Sequence, residues 1–184
     1  TAATPLDDAP AEIGTTNGAY VPQNYDKRFH GPVSVRAALG ASLNVPAVRV
    51  VEMVGIDALH GRLDALGFAL DRPAGWYGAS LALGSADVTL LALANAYRTL
   101  ANGGLVSPIR WTPGAAPAPP ARVLDAGAAA IVADILADEN ARVRTFGWGS
   151  ALATRGWAAV KTGTSKDMRD SWCLGFTDRY TIGV

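Results

Sequence analysis

Lys161-Thr162-Gly163-Thr164 stands at the end of a short segment, Trp157 to Thr162, that is rich in aromatic and β-branched residues. Such a segment predicts a β-strand. Two more segments of the same kind follow, Ser171 to Phe176 and Tyr180 to Val184, and turn-forming residues separate them. We therefore predict three strands in this last part of the chain, of which the last two form a hairpin.

The sequence before these strands has helical periodicity instead. Apolar residues recur at spacings of three and four from Leu90 to Ala101, and Asn102-Gly103-Gly104 ends the pattern. Capping residues and periodicity predict further helices from Ser34 to Gly40, from about Pro46 to Gly55, and from about Asp125 to Ala137. Helices followed by adjacent strands favour an α+β fold with an antiparallel sheet over an alternating parallel arrangement.

Length and composition predict one globular domain. The 184 residues are 49% hydrophobic and 17% charged, so the chain can bury a substantial core. We predict an irregular lead-in over residues 1–29, a mainly helical part over 30–140, and C-terminal strands over 155–184. Prolines and glycines interrupt the lead-in, and Pro113 to Pro120 reads as an exposed connection for the same reason.

Charge and residue spacing exclude several classes of function. Sixteen acidic and sixteen basic side chains cancel, so we expect no nucleic-acid partner. The apolar stretches are much shorter than the roughly 20 residues that a membrane-spanning helix needs. His30 and His60 lack ligand-like spacing, and Cys173 lies within a predicted strand. We therefore expect neither a metal site nor a catalytic thiol.

The segment Lys161-Thr162-Gly163-Thr164 has the chemistry of an anion-binding edge. The lysine ammonium is a compact positive charge, and the threonine hydroxyls can donate hydrogen bonds to a carboxylate. Gly163 has no side chain, so a substrate backbone can lie against the strand there. The alternative is a surface turn after a strand, because glycine and threonine are ordinary turn residues.

Ser42 and Asn44 form a second candidate pair, between the first two predicted helices. A hydroxyl beside a lysine can relay a proton, and an asparagine amide can both donate to and accept from a bound peptide. Helix capping is the alternative, because both residue types accept hydrogen bonds from helix-start amides and both lie just before Pro46.

Taken together, these two motifs resemble two signatures of the penicillin-recognising serine enzymes. Other parts of the chain resemble the class A, bifunctional penicillin-binding proteins: Tyr25-Asp26, Phe29, Gly31 to Val33, Ser42 to Val48, Leu83 to Ser85, Ala94 to Tyr97 and Ala101 to Gly104. Val160 to Tyr180 is especially similar to the penicillin-binding protein 1C branch. The resemblance covers most of the chain from about Tyr20. It implies a penicillin-binding transpeptidase or serine β-lactamase-like fold, with an antiparallel sheet and a helical subdomain.

The reaction that this resemblance implies is peptidoglycan D-Ala-D-Ala transpeptidation. A serine attacks the penultimate D-Ala carbonyl of a stem peptide, the terminal D-Ala leaves, and an amine of a neighbouring strand takes the acyl group. By the same resemblance, Ser42 would pass a proton to the leaving amine, Asn44 would hold the donor peptide's amide, and Lys161 would polarise Ser42. The segment Thr162 to Thr164 would bind the terminal carboxylate, and the Thr164 N–H would form half of the oxyanion hole.

One departure from the family concerns the nucleophile, which lies there in Ser-x-x-Lys. No serine of this chain has a lysine three positions later; the residues three positions before lysines 27, 161 and 166 are Asn24, Ala158 and Gly163. In the family that serine lies upstream of Ser-x-Asn. We therefore expect the missing segment before Thr1, a further strand of the sheet beyond Val184, and no catalysis by this chain alone.

The resemblance also implies partners and a location. Peptidoglycan stem peptides would be the substrates, β-lactams would bind the intact domain, and no cofactor would be needed. The domain would lie on the periplasmic face of the bacterial inner membrane, attached only through an N-terminal anchor absent from this chain. Two alternatives stay open: a β-lactamase or D,D-carboxypeptidase that transfers the acyl group to water, and a non-catalytic module that binds wall peptides or β-lactams. Apolar surface exposed at the cut ends also predicts self-association.

Overall fold

The computed structural model describes residues 1–15, 18–114, 116, 118–165 and 169–184. In chain order the elements are β1 (Pro5–Asp8), β2 (Ile13–Thr15), β3 (Gly18–Tyr20), β4 (Gly31–Ser34), α1 (Val35–Gly40), α2 (Asn44–Val54), α3 (Ile56–Ala65), α4 (Ala74–Tyr77), a 3-10 turn (Gly78–Leu83), α5 (Leu90–Ala101), β5 (Leu105–Val106), β6 (Ala121–Arg122), α6 (Ala126–Ala137), α7 (Glu139–Phe146), β7 (Ala159–Thr164), β8 (Ser171–Phe176) and β9 (Thr181–Gly183). Every strand pair among the described residues is antiparallel. The predicted α+β class is therefore confirmed.

Packing divides the chain into two compact units. The first unit comprises Thr1–Gly61, Leu70–Asp87 and Asp138–Ala153, and the second comprises Arg62–Ala69, Val88–Ala137 and Thr154–Val184. Among the described residues, no helix has the length and apolar character needed to cross a bilayer.

In the first unit, β1 pairs with β4, and α1 and α2 pack against this pair. The side chains of β1 alternate, so Leu6 and Asp8 point inward and Pro5 and Asp7 point outward. The core here is formed by Leu6, Val33, Ala38, Ala41 and Leu43. Helix α2 buries one face, which carries Val45, Val48 and Val51. The inward position of a carboxylate, that of Asp8, is the unusual feature of this core.

The predicted irregular lead-in over residues 1–29 needs correction, because β1, β2 and β3 lie within it. Strand β2 pairs with β3 through Ile13 and Tyr20. Proline interruptions suggested a lead-in without regular structure, but Pro5 occupies the first position of a two-stranded sheet. A missing N–H is tolerated at such a position.

The predicted helices are confirmed with small shifts of their ends. Helix α1 begins after Ser34, whose hydroxyl accepts a hydrogen bond from the Ala37 N–H at 3.2 Å. Helix α2 begins at Asn44, so Pro46 lies in its first turn, and α5 and α6 occupy the predicted ranges. The described residues of the proline-rich stretch 113–120 are exposed, as predicted. Helices α3, α4 and α7 were not predicted.

In the second unit, three strands form an antiparallel sheet in the order β7-β8-β9. This confirms the three predicted strands, although β7 begins at Ala159 rather than Trp157 and continues to Thr164. Helix α5 packs so closely on β9 that a Cβ on Gly183 would lie 2.8 Å from Leu90 Cδ1. Helix α6 packs against β7 and contributes the fully buried Ile135.

Two helical glycines of the first unit give a matched test of this packing. A Cβ on Gly40 would lie 2.5 Å from the Ala141 Cβ and 2.9 Å from Ala141 main-chain atoms, where α1 meets α7. We expect Gly40→Ala to lower the free energy of unfolding by about 1–3 kcal/mol, because main-chain atoms cannot move aside cheaply. Urea denaturation of the whole chain measures this change.

The control is Gly61→Ala in α3, where an added Cβ meets nothing within 4 Å. There the substitution should raise the free energy of unfolding by about 0.5–1 kcal/mol, because alanine has the higher helix propensity. Equal effects of the two substitutions would contradict the close α1–α7 contact.

Candidate active site

The residues of the two candidate motifs belong to different units. Ser42 and Asn44 lie in the first unit, whereas Lys161 to Thr164 lie in the second. The convergence of the two motifs in one cleft, which the expected polarisation of Ser42 by Lys161 implies, stays a prediction.

Ser42 occupies a tight turn between α1 and α2. Its φ of 57° is left-handed, a region that costs a residue with a Cβ about 1–2 kcal/mol. Two main-chain hydrogen bonds close the turn: the Ser42 N–H donates to the Leu39 carbonyl at 3.2 Å, and the Leu43 N–H donates to the Ala38 carbonyl at 2.9 Å. Strained conformations of this kind persist where the surrounding structure fixes them, and they cluster at functional sites.

The turn is also held from outside. The Thr145 hydroxyl of α7 donates to the Ala41 carbonyl at 2.6 Å. Ala41 is buried, so this carbonyl would otherwise lack water as a partner. The peptide group that precedes Ser42 is thereby fixed against α7.

Helix α2 is capped by a residue that is distant in sequence. The side chain of Leu43, at the N-cap position, makes no capping hydrogen bond. Instead, the Asn24 Oδ1 accepts from the N–H groups of Asn44 at 2.9 Å and Val45 at 3.3 Å. The Asn44 side chain donates its Nδ2 to the Gln23 carbonyl at 2.9 Å. The capping alternative for Asn44 is therefore wrong, because Asn24 supplies the acceptor.

Behind Asn24 lies the carboxylate of Asp8, which is fully buried. Both of its oxygens accept from Asn24 Nδ2, at 2.9 and 2.8 Å, and one accepts from the His30 N–H at 3.0 Å. The same Nδ2 also donates to the Arg28 carbonyl at 2.8 Å. A buried carboxylate needs such donors, because desolvation would otherwise make its charge very costly.

Sequence reasoning missed Asp8 and Asn24. A usable signal exists for Asp8, because it alternates with the apolar Leu6 and therefore faces inward if Pro5 to Asp8 is a strand. Asn24 carries no comparable local signal, since its contacts with Asp8 and with the start of α2 span 16 to 21 positions.

The second motif lies on β7, at an edge of the three-stranded sheet. Among the described residues, β7 pairs only with β8. Gly163 and Thr164 are exposed, whereas Lys161 and Thr162 are partly buried. A Cβ on Gly163 would meet nothing within 4 Å, so the strand surface is open at this position.

Lys161 is a lysine held in a poorly solvated position. Its Nζ donates to the Thr162 carbonyl at 2.6 Å. Burial lowers the pKa of the Lys161 ammonium to about 8, and the nearby Cys173 acts in the opposite direction with a smaller effect. A lysine with such a pKa can lose or regain its proton near neutral pH.

The loop after the motif is closed by Ser165 and Asp170. The Asp170 N–H donates to the Ser165 Oγ at 2.8 Å, and the Ser165 N–H donates to the Asp170 carbonyl at 3.0 Å. Arg169 and Asp170 are exposed, and Asp167 lies outside the described residues. Nowhere in the described part of the chain do three or more His, Cys, Asp or Glu residues form a group that could hold a metal ion.

Comparison with known proteins identifies a family that matches this chain. The family model described as the penicillin binding protein transpeptidase domain matches residues 4–178. Penicillin-binding protein 1C of Escherichia coli is 38% identical over 174 residues, which are 94% of this chain and 22% of that protein. The chain thus spans about a quarter, 22 to 25%, of the length of the first curated relatives it matches.

Solved structures agree on the fold. Penicillin-binding protein 1A of Haemophilus influenzae has a TM-score of 0.76 at 23% identity and covers 96% of this chain, which spans 33% of that one. Penicillin-binding protein A of Mycobacterium tuberculosis, solved as an imipenem acyl-enzyme complex, has a TM-score of 0.70 at 24% identity. It covers 96% of this chain, which spans 46% of that one. The predicted penicillin-binding transpeptidase fold is confirmed.

The low pKa of Lys161 predicts a pH dependence of stability. Between pH 8 and the ordinary lysine pKa of 10.5, the unfolded chain keeps a proton that the folded chain has lost, so the free energy of unfolding rises with pH. The gain should total about 3 kcal/mol. Lys161→Met should remove it, because methionine cannot titrate.

Urea denaturation of both proteins at several pH values between 7 and 10.5 measures this gain. Only the difference between the two proteins is interpreted, because all other titrating groups are common to both. A difference that stays constant across this range would contradict the buried ammonium.

Proposed function

The chain belongs to the penicillin-binding protein transpeptidase domain family, and from this membership we propose that it supplies substrate-binding elements of a peptidoglycan D-Ala-D-Ala transpeptidase. The similarity to penicillin-binding proteins 1C and 1A confirms the predicted resemblance to class A penicillin-binding proteins. The observation that carries the proposal is the open edge of β7 with its Lys161-Thr162-Gly163-Thr164 segment.

The β7 edge suits an extended peptide with a terminal carboxylate. A peptide can add to an unpaired strand edge through main-chain hydrogen bonds. The absence of a side chain at Gly163 allows a close approach there. The hydroxyls of Thr162 and Thr164 would donate to the terminal carboxylate, and the Lys161 ammonium would balance its charge. A stem peptide that ends in D-Ala-D-Ala has both features.

The proposed reaction proceeds in two steps. A serine oxygen bonds to the carbonyl carbon of the penultimate D-Ala, and the C–N bond to the terminal D-Ala breaks as that amine takes a proton. An amine of a second strand then attacks the ester and releases the serine. Ser42 would relay the proton to the leaving amine, Asn44 would hold the donor amide, and the Thr164 N–H would stabilise the oxyanion.

We propose that the 184 residues alone do not perform this reaction. No serine among them is followed three positions later by lysine, so the nucleophile and its base are not present as a pair. The imipenem acyl-enzyme of the M. tuberculosis relative supports β-lactams as ligands of the same site once a nucleophile is supplied. A transpeptidase that acts on wall peptides would work outside the cytoplasm, on the periplasmic side of the inner membrane.

The absence of a nucleophile predicts the outcome of a labelling experiment. Incubation of this chain with penicillin G should leave its intact mass unchanged, because no serine is paired with a base. An adduct on any serine would contradict this part of the proposal.

A chimaera tests the proposed activity itself. We expect this chain to support covalent labelling by fluorescent penicillin when it replaces the matching 174-residue segment of E. coli penicillin-binding protein 1C. In that chimaera, Lys161→Met should slow labelling by about 10² or more, a cost typical of losing transition-state electrostatics. Stopped samples resolved on a gel give the rate.

The matched control is Arg155→Met, which removes an exposed cation from the same unit and should leave the rate unchanged. Thermal unfolding establishes that each chimaera is folded. A folded chimaera that is not labelled would favour the non-catalytic binding module over the transpeptidase.

A further inference from the structure

The N-terminus of α2 has an unusual supply of hydrogen-bond acceptors. Helix-start amides are normally capped by a Ser, Thr, Asp or Asn at the N-cap. Here that position holds Leu43, whose side chain is 6% exposed and belongs to the hydrophobic core. A polar residue at this position would cap the helix but would lose that packing. The acceptor comes instead from Asn24, which is 4% exposed and lies 20 positions before Asn44.

Asp8 determines which way the Asn24 amide points. Both carboxylate oxygens of Asp8 accept from Asn24 Nδ2, so the Asn24 Oδ1 must face α2. The opposite orientation would place Oδ1 against a buried negative charge and Nδ2 against helix-start N–H groups. Both contacts would be repulsive. The carboxylate therefore makes the Asn24 side chain a directed acceptor.

Gln23 and Asn24 together fix the main chain and the side chain of Asn44. The Asn24 side chain holds the Asn44 main-chain N–H, and the Gln23 carbonyl holds the Asn44 side-chain Nδ2. The adjoining Ser42 is left-handed, and the turn that contains it is held at both ends. Thr145 holds one end through the Ala41 carbonyl, and Asn24 holds the other.

We propose that Asn24 and Asp8 are positioning residues for the Ser42-Leu43-Asn44 turn, and that they keep Asn44 in the orientation in which it binds a wall peptide. This inference rests on the proposed function. Neither residue touches the peptide; both act through the main chain of α2. They separate capping from ligand binding, so the Asn44 side chain need not cap its own helix.

Nuclear magnetic resonance of the whole chain with Asn24→Ala tests the geometry. The Asn44 and Val45 amides should exchange hydrogen about tenfold faster or more, because their acceptor is gone. The side-chain NH₂ signals of Asn44 should shift, and the Ser42 HN–Hα coupling should move away from its left-handed value. Unchanged exchange, shifts and coupling would overturn the proposal.

Two controls separate positioning from general destabilisation. Val51→Ala opens a cavity in the buried face of α2, two turns beyond Asn44. It should lower stability while leaving the Asn44 side-chain signals and the Ser42 coupling in place. Asn140→Ala removes an exposed amide from the same unit and should change none of these readouts. Equal shifts of the Asn44 signals in Val51→Ala and Asn24→Ala would show a merely structural role and overturn the proposal.

If Asn24→Ala does not fold, Asp8→Asn tests the same claim. It keeps the side-chain volume but removes one of the two oxygens that orient Asn24. The Asn44 and Val45 amides should then exchange faster than in the unmodified chain, although less so than with the acceptor removed. Unchanged exchange in a folded Asp8→Asn chain would count against the proposal.

Binding of diacetyl-L-Lys-D-Ala-D-Ala connects the geometry to the function. We expect Asn24→Ala to raise the Kd by about tenfold, whereas Val51→Ala and Asn140→Ala should not. Binding that is equally strong with and without Asn24 would overturn the positioning role but leave the proposed function standing. A peptide that fails to bind even the unmodified chain would refute the proposed function, and the resonance experiment would still decide the geometry.

Discussion

The buried carboxylate of Asp8 is the constraint on which the first unit depends. A charge removed from water must be met by hydrogen-bond donors, and here these are the Asn24 side chain and the His30 main chain. Since Asn24 supplies one of these donors, the segment after β3 lies against Asp8 of β1 and against the start of α2. Because Asn24 faces the carboxylate with one end and α2 with the other, the same requirement fixes where the helix begins. The same contacts fix the position of the Ser42 turn, which directly precedes α2.

In the second unit, Lys161 has a corresponding desolvation cost. Partial burial lowers the pKa of the ammonium, so the charged lysine costs stability near neutral pH. An apolar residue in the same place on β7 would not carry this desolvation cost. Stability therefore does not explain the lysine, whereas the proposed binding of an anion at an open strand edge would. Residues that oppose stability in this way are typical of functional sites.

How much of this could be predicted depends on how local each signal is. The spacing of apolar residues in α5, the Ser34 cap of α1 and the strand containing Lys161 are local, and all three predictions are confirmed. The strands of the lead-in escape prediction because a proline can either interrupt regular structure or begin an edge strand, as Pro5 does here. The left-handed Ser42 has no sequence signal, because serine rarely adopts that conformation and the residues beside it are held by partners distant in sequence. The motifs therefore predict the residue types of the candidate site, which stay a prediction, but not the side chains that hold the Ser42 turn.

Family membership and activity are separate conclusions for this chain. The family model covers residues 4–178, yet the match spans only 22% of the E. coli relative. A fold supplies elements on which chemistry can be placed, and the chemistry depends on particular side chains. Here those side chains comprise the open edge of β7 and the Ser42 turn, which under the proposed function would recognise a peptide without cleaving it. Cleavage needs an activated nucleophile, and no serine of the chain has the lysine partner that would activate it in this family. The role that we propose for the 184 residues is therefore recognition, to which a paired serine and lysine would add acyl transfer.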